Sequence, residues 1–193
     1  QMRTFRTNLL ATGIQTDDVE YLHDDVKGRA FCKGKPEKNI GKRLYEIINQ
    51  VTENNLLVVT PYLVTTPEMQ KLVQGLTGRG VDAKFVTNSL VANDVAAAHQ
   101  GYLKTRHLLY DAGARIFEFN DVSEELGELE TLHAKMVLMD DKKLFIGSYN
   151  WDYRSQNINS EVGVVIGIDP KQSQLINNIR AGMNDVLKST YEI

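Results

Sequence analysis

The chain has 193 residues, of which 42% are hydrophobic and 24% charged, and its formal net charge at pH 7 is −3. These values are ordinary for a globular protein, and they exclude a disordered chain, a collagen-like fibre and a disulfide scaffold. The acidic balance argues against a protein that works mainly on DNA or RNA backbones, although it leaves room for a local basic patch. The single cysteine, Cys32, can form no intrachain disulfide and belongs to no Cys/His cluster with zinc-ligand spacing.

The chain carries no sequence signal for a membrane-spanning helix or a signal peptide. Its longest apolar runs, Leu56–Val59 and Val162–Ile168, are much shorter than the ~18 residues that a spanning helix needs. The first residue is Gln1. We therefore expect the chain to be a piece of a longer protein.

Residues 1–38 are polar and show no sustained periodicity. We predict a linker or N-terminal arm here, with one short strand, and a folded domain over residues 39–193. From residue 39, helical spacing alternates with short apolar runs, which are typical of strands. This alternation predicts a first helix from the helical spacing of Leu44, Ile47, Ile48 and Val51, and further helices that begin at Thr66–Pro67 and Asp94. It predicts strands at Leu56–Val59, Val81–Val86 and Arg115–Phe119.

The second part of the domain has a different order. Residues 120–131 are acidic and are predicted to form a loop. Three closely spaced strands follow, and a last helix begins after Asp169–Pro170. These strands are predicted at Leu132–Met139, Leu144–Asn150 and Ser160–Ile168. The fold class predicted from the whole pattern is α/β, with a mixed, mostly parallel sheet flanked by helices on both faces.

The most informative polar residues lie on two of these strands. His133 and Lys135 are two residues apart, as are Ser148 and Asn150. Side chains at i and i+2 of a strand point to the same side of a sheet. Each pair is therefore expected to share a face.

The hairpin register determines whether the two pairs meet. A turn at residues 141–142 would place the lysine opposite Ser148 and the histidine opposite Asn150, on one face. Gly147 would leave room beside them for a ligand to approach the backbone. The alternative is a half-exposed hairpin face with ordinary polar residues.

Such a patch combines an imidazole, an ammonium, a hydroxyl and an amide. These groups suit an oxyanion, most simply a phosphoryl group. Imidazole can attack phosphorus when neutral or donate a proton when charged. Glu161, on the next predicted strand, is the candidate to orient the imidazole of His133. A metal site is disfavoured because the ammonium of Lys135 would repel a cation.

The pattern His133-x-Lys135-x4-Asp140-x6-Gly147-Ser148-x-Asn150 resembles the HKD signature of the phospholipase D superfamily. Glu161 also stands where that family places a supporting carboxylate. The resemblance implies that the histidine, lysine and asparagine gather at the phosphate, with the serine beside them. Asp140 is expected at the turn, in a local structural role that involves pairing with Lys142 or Lys143.

Phospholipase D chemistry uses two histidines, one as a nucleophile that forms a phosphohistidine and one as the acid for the leaving alcohol. The resemblance implies no metal and no cofactor. This chain carries one His-x-Lys motif. The second motif must therefore come from a missing N-terminal half or from a second copy of the chain. In two-motif relatives the first motif generally supplies the nucleophile, so His133 would be the general acid.

Weaker resemblances point to bacterial cardiolipin synthases and related phosphatidyltransferases. They involve the segment 60–64, which follows a predicted strand, and the loop and helix after the next strand. They imply substrate-binding roles for Tyr62, Asn93, His99 and Tyr102, although His99 and Tyr102 could also simply pack a helix face.

The function implied is phosphatidyl transfer from a phospholipid of the phosphatidylglycerol or phosphatidylethanolamine type. The alternative is a homodimeric phosphodiesterase or nuclease of the same superfamily, although the acidic balance disfavours nucleic acid. The resemblance implies a bacterial protein on the cytoplasmic side of the inner membrane, and a lipid substrate implies that it binds this membrane peripherally.

Overall fold

The computed structural model describes residues 16–25, 39–93, 95–122, 129–169, 171 and 173–193. Within these ranges the chain forms ten strands and five helices. The strands are β1 Val19–His23, β2 Asn55–Val59, β3 Asp82–Asn88, β4 Arg115–Phe119, β5 Asp121–Val122, β6 Leu129–Glu130, β7 Met136–Met139, β8 Lys143–Gly147, β9 Val162–Gly167 and β10 Thr190–Glu192. The helices are α1 Ile40–Val51, α2 Pro67–Thr77, α3 Ala96–Asp111, α4 Tyr153–Asn157 and α5 Ser173–Lys188.

Eight of these strands form one mixed sheet in the order β1-β9-β8-β7-β2-β3-β4-β10. The predicted mixed α/β class is confirmed, but the expectation of mostly parallel pairing is wrong. Among the described strands, only β2, β3 and β4 pair in parallel, because helices connect them. Strands β7 and β8 pair antiparallel through a tight turn, and β8 and β9 pair antiparallel across residues 148–161, which contain α4. Strand β7 also pairs antiparallel with β2, and the edge strands β1 and β10 pair antiparallel with β9 and β4.

Helices cover both faces of the sheet, as predicted. Strand β2 shows how the faces divide, since Leu56 and Val58 point into one core cluster while Leu57 and Val59 point into another. The first cluster includes apolar side chains of α1, α2 and α3, and the second includes Met183 and other side chains of α5. The site described below lies where β2 ends and β7 begins, because Val59 pairs with Met136.

Local signals place the first two helices as predicted. The side chain of Asn39 accepts a hydrogen bond from the backbone N–H of Lys42 (2.8 Å) and caps α1. Thr66 caps α2 in the same way through the N–H of Met69 (3.4 Å), and Pro67 occupies the first turn.

The β7–β8 hairpin turns one residue earlier than predicted. Asp140 and Asp141 have φ angles of 50° and 54°, and the N–H of Lys142 donates to the carbonyl of Met139 (2.8 Å). Aspartate tolerates the left-handed region better than lysine does, so the two aspartates take the central positions of the turn. Met139 therefore pairs with Lys143, and the predicted register is wrong by one residue.

Strand β1 lies within the segment for which an arm with one short strand is predicted, and that strand is confirmed. It pairs antiparallel with β9 from Val19↔Ile166 to His23↔Val162 and forms an edge of the sheet. Cys32, Asp94 and the centre of the predicted acidic loop lie outside the described residues. Among the described residues, no helix has both the length and the apolar character needed to cross a bilayer.

Candidate active site

His133 and Lys135 lie in an irregular segment that leads into β7, whereas the sequence predicts a strand here. The last backbone hydrogen bond of the β7–β8 hairpin runs from the N–H of Gly147 to the carbonyl of Lys135 (3.2 Å). The lysine ammonium donates to the carbonyl of His133 (2.8 Å). His133 is exposed, so its imidazole is accessible from solvent. The two predicted cross-strand pairs do not form, since the ladder ends before the histidine is reached.

Other contacts bring the motif segments and the end of β2 together. The ring of Tyr62 meets the His133 ring edge to face, with centroids 6.4 Å apart. On either side of the tyrosine, Thr60 Oγ1 accepts from the N–H of Trp151 (3.3 Å), and Leu63 forms a bridge with Trp151. The sequence hint that placed Tyr62 near the site therefore agrees with its position.

Ser148 directs its hydroxyl to a buried carboxylate. Its Oγ donates a short hydrogen bond to Glu161 and accepts one from the N–H of Val162 (3.1 Å). A hydroxyl has one proton to donate. In this structure Ser148 therefore holds Glu161, and the predicted role as a hydroxyl donor to phosphate is not seen.

The Glu161 carboxylate forms hydrogen bonds with residues other than His133, the partner that the sequence analysis predicts. Its carboxylate accepts from Ser148, from Ser155 Oγ (2.7 Å) and from the amide of Asn159 (3.1 Å). It makes no hydrogen bond to His133 among the described residues, so the predicted orienting contact is absent. The side chain is buried, and it links Ser148, just after β8, to α4 and to the segment that leads into β9.

Two residues that the sequence analysis missed fix this network. Ser155 is fully buried, and its Oγ also accepts from the N–H of Asn150 (3.2 Å). Asp24, just after β1, accepts from the N–H of Glu161 (2.9 Å) and from the N–H of Ile40 (2.9 Å). The Asp152-x-x-Ser155 capping pattern could have indicated α4. No local pattern could have connected Asp24 with a residue 137 positions away.

Two polar groups near the network sit in unusual environments. The Oδ1 atom of Asn150 is buried and has no hydrogen-bond partner among the described residues. Burial also raises the pKa of Asp152, although the N–H groups of Ser155 and Arg154 oppose the shift. The Oδ1 atom is a hydrogen-bond acceptor and is costly to leave unpartnered, so it suits a ligand group that donates a hydrogen bond.

The structure requires a glycine at position 147 for a reason that differs from the predicted one. A Cβ atom there would lie 2.5 Å from the carbonyl oxygen of Val162 and 2.8 Å from both the Cα of Gly163 and the ring of Phe145. The space beside the glycine is therefore occupied by strand β9 and by an aromatic ring. It is not open to a ligand, and that expectation is corrected.

Replacing Gly147 by alanine is expected to destabilise the fold by about 1–3 kcal/mol, because backbone atoms must move to admit the methyl group. Thermal unfolding followed by circular dichroism measures this effect. Gly75→Ala is the matched control, since nothing lies within 4 Å of its Cβ position in α2. The control is expected to be stabilising by up to about 1 kcal/mol. Equal melting temperatures for the two variants would contradict the packing argument.

Asp140 occupies the turn, in the local role expected for it. Its carboxylate accepts from the backbone N–H groups of Glu53 (2.7 Å), Asn54 (2.9 Å) and Asn55 (2.6 Å), and it lies 3.6 Å from Lys142 Nζ. Burial alone would raise the pKa of Asp140, but the three N–H donors and the ammonium outweigh it and lower the pKa. The motif aspartate therefore joins the hairpin to the start of β2.

The three weaker substrate-binding candidates after β3 make local contacts. Asn93 Oδ1 accepts from the N–H of Val95 (2.9 Å) just before α3. His99 is buried, and its Nδ1 has no partner among the described residues. Tyr102 is buried and donates to Glu118 Oε1 (2.7 Å).

The tyrosine belongs to a cluster around the Glu118 carboxylate. Arg106 pairs with the same carboxylate (3.2 Å), and Tyr191 of β10 donates to its other oxygen (2.6 Å). The hydrogen bond to Glu118 raises the pKa of Tyr191 to about 12. The position of Tyr102 thus fits a packed helix face, the alternative that the sequence analysis left open. In the described part of the chain, no three His, Cys, Asp or Glu side chains form a group that could hold a metal ion.

Comparison with known proteins agrees with the motif. Residues 44–183 match the sequence model of the family described as "Cardiolipin synthase, PLD-like domain". Cardiolipin synthase C of Escherichia coli (strain K12) is 33% identical over 153 residues, which is 74% of this chain and 32% of that protein. The chain thus spans about a third of the length of this curated relative.

Two solved structures share the fold. A phospholipase D family member, Nuc from Salmonella typhimurium, superposes with a TM-score of 0.64 at 17% identity, covering 91% of this chain and 97% of that one. Phosphatidylserine synthase from Haemophilus influenzae Rd KW20 superposes with a TM-score of 0.67 at 19% identity, covering all of this chain and 46% of that one. With the family match over residues 44–183, these findings show that the chain belongs to the phospholipase D superfamily, in the cardiolipin synthase, PLD-like domain family.

Proposed function

We propose that this chain supplies the second motif half of a cardiolipin synthase-type phosphatidyltransferase, which works through a phosphohistidine intermediate. The observation that carries the proposal is the family match over residues 44–183, which includes the whole motif from His133 to Glu161. The E. coli relative, of which this chain spans 32%, is named cardiolipin synthase C. The length difference supports the idea that another part of the full-length protein contributes the first motif.

The proposed reaction has two steps. In the first, a ring nitrogen of the first-motif histidine attacks phosphorus, an N–P bond forms, and the P–O bond to the leaving alcohol breaks. His133, as imidazolium, donates its proton to the departing oxygen. In the second step, neutral His133 accepts a proton from the acceptor hydroxyl. The new O–P bond then forms as the N–P bond breaks, and both histidines return to their starting states.

The described contacts support the roles that we propose for five residues of the motif region. His133 is exposed and reaches the site from an irregular segment, so its imidazole can meet a substrate. Lys135 supplies a positive charge from the same segment, and the side-chain NH2 of Asn150 is the group that would donate to the phosphate. Ser148 and Glu161 act behind them as positioning residues, because they bond to each other and fix the segment between β8 and α4.

The surface beside the motif offers a place for the second half of the site. Tyr21, Ile146 and Val162 are exposed on β1, β8 and β9, and the pairings Tyr21↔Val164 and Ile146↔Val164 put two of them on one face. Contiguous exposed apolar side chains mark interaction surfaces. We propose that the first-motif half of the protein packs against this face and completes the site. Peripheral binding at the inner membrane then follows from the lipid substrate.

The full-length protein tests the proposal directly. Incubation with phosphatidylglycerol vesicles, with and without phosphatidylethanolamine, is expected to yield cardiolipin. Absence of cardiolipin under both conditions would overturn the transferase proposal. Cleavage of plasmid DNA in EDTA that is lost on His133→Ala would instead support the phosphodiesterase alternative. Light scattering on this chain distinguishes the arrangements, since a homodimeric phosphodiesterase requires a mass near twice 21.8 kDa.

A further inference from the structure

The loop between β3 and α3 exposes large apolar side chains. Leu90 is 65% exposed, Val91 60% and Val95 40%. By sequence, residues 88–103 contain one acidic residue and no lysine or arginine. Single exposed apolar residues are common on protein surfaces, but neighbouring ones on a segment with a single charged residue indicate an interaction surface.

The loop is held in place by its own bonds. The N–H of Ser89 donates to the carbonyl of Phe119 (3.0 Å), and Ser89 Oγ accepts from the N–H of Ala92 (3.4 Å). Ala92 is buried in the core cluster on the α5 face. The apolar tip is therefore presented to solvent by a loop that is anchored on both sides of Leu90 and Val91.

The base of the loop is joined to the candidate active site. Asn88, the last residue of β3, donates its amide to the carbonyl of Leu132 (2.9 Å) and accepts from the N–H of Leu132 (3.0 Å). Leu132 directly precedes His133 in the chain. One asparagine thus ties the apolar loop to the segment that carries the motif histidine.

We propose that Leu90, Val91 and Val95 insert into a lipid surface and bring the site to phospholipid headgroups. Insertion removes the exposed apolar area from water, and the lack of basic residues means that the loop binds by apolar insertion rather than by charge. The link through Asn88 connects the base of the inserted loop to the residue that precedes His133. This inference rests on the proposed function, because a phospholipid substrate gives the loop its partner.

Sedimentation with vesicles of phosphatidylcholine and phosphatidylglycerol tests the loop on this chain. The double variant Leu90→Ser/Val91→Ser is expected to bind at least about tenfold more weakly than the unchanged protein. Tyr110→Ser is the matched control, since Tyr110 is also 65% exposed but lies near the other end of α3. The control is expected to bind like the unchanged protein. Equal binding of the double variant and the control would overturn the inference, as would failure of the unchanged chain to bind vesicles.

Turnover by the full-length protein distinguishes this inference from the proposed function. The double variant should retain activity on a short-chain phosphatidylglycerol dispersed as monomers and should lose activity on vesicles. Equal loss on both substrates would overturn the role in membrane docking, because it would show damage to the site itself. If the unchanged full-length protein transfers no phosphatidyl group from either substrate, the proposed function fails. Loop-dependent sedimentation would still support the membrane contact in that case.

Discussion

Replacement of His133 by alanine in the full-length protein is expected to lower phosphatidyl transfer by at least about 10³-fold. The imidazole is the group that exchanges the proton in both proposed steps, and a positioned acid or base contributes factors of this order. Formation of cardiolipin from phosphatidylglycerol measures the loss. The melting temperature should change by no more than about 2 °C, since the side chain is exposed and its described ring contact is with Tyr62.

His107→Ala is the matched control for this substitution. His107 is an exposed histidine on α3 that belongs to no motif, and its loss should leave the rate unchanged. Retained transfer in His133→Ala would show that the motif histidine is not used in the reaction. A fall of 10 °C or more in melting temperature would show that the residue has a structural role, against its exposed position.

The elements that local chemistry determines were predictable from the sequence. Thr66 is a helix cap that can be recognised from one turn of sequence, and α2 begins where predicted. The first helix is predicted from its helical spacing, and α1 covers all four residues of that pattern. Strand β2 is a short apolar run next to turn residues, and it lies within one residue of the prediction. In these places the sequence signal and the interaction that it predicts lie within a few residues of each other.

The arrangement of the site depended on distances that sequence patterns do not report. The hairpin register followed from which two residues took left-handed φ angles, and moving the turn from residues 141–142 to Asp140–Asp141 changed every cross-strand pair. The partner of Glu161 could not be chosen by spacing either. Ser148, Ser155 and His133 were all within reach along the chain, and folding placed the two serines against the carboxylate.

The sequence also did not indicate that residues before the matched domain contribute to the site. The family match begins at residue 44, yet the Asp24 carboxylate accepts hydrogen bonds from the backbone N–H groups of Glu161 and of Ile40, the first residue of α1. Its carboxylate thereby connects an edge strand to the network behind the motif. Charge clusters in a polar segment are common, so composition alone could not separate this buried aspartate from its exposed neighbours.

Asp140→Ala is expected to destabilise the chain by about 2–3 kcal/mol, because three backbone N–H groups lose a charged acceptor and a left-handed position loses a residue that tolerates it. For a chain of this size the melting temperature should fall by about 5–10 °C. Thermal unfolding at neutral pH measures the change. Asp140→Asn keeps the left-handed tolerance, so its smaller expected loss separates the acceptor effect from the backbone effect.

The same carboxylate predicts a dependence of stability on pH. The pKa of Asp140 is lowered in the folded chain, so its contribution is fully present above the unfolded pKa of 3.8 and is lost as the pH falls through the lower folded value. The difference in melting temperature between the unchanged chain and Asp140→Asn should therefore shrink as the pH falls below about 4. Asp141→Asn is the control within the same turn, since Asp141 is paired with the exposed Arg180 at the surface. If the difference in melting temperature between the unchanged chain and Asp140→Asn stayed constant as the pH fell, the prediction that Asp140 acts as a charged acceptor in this turn would be contradicted.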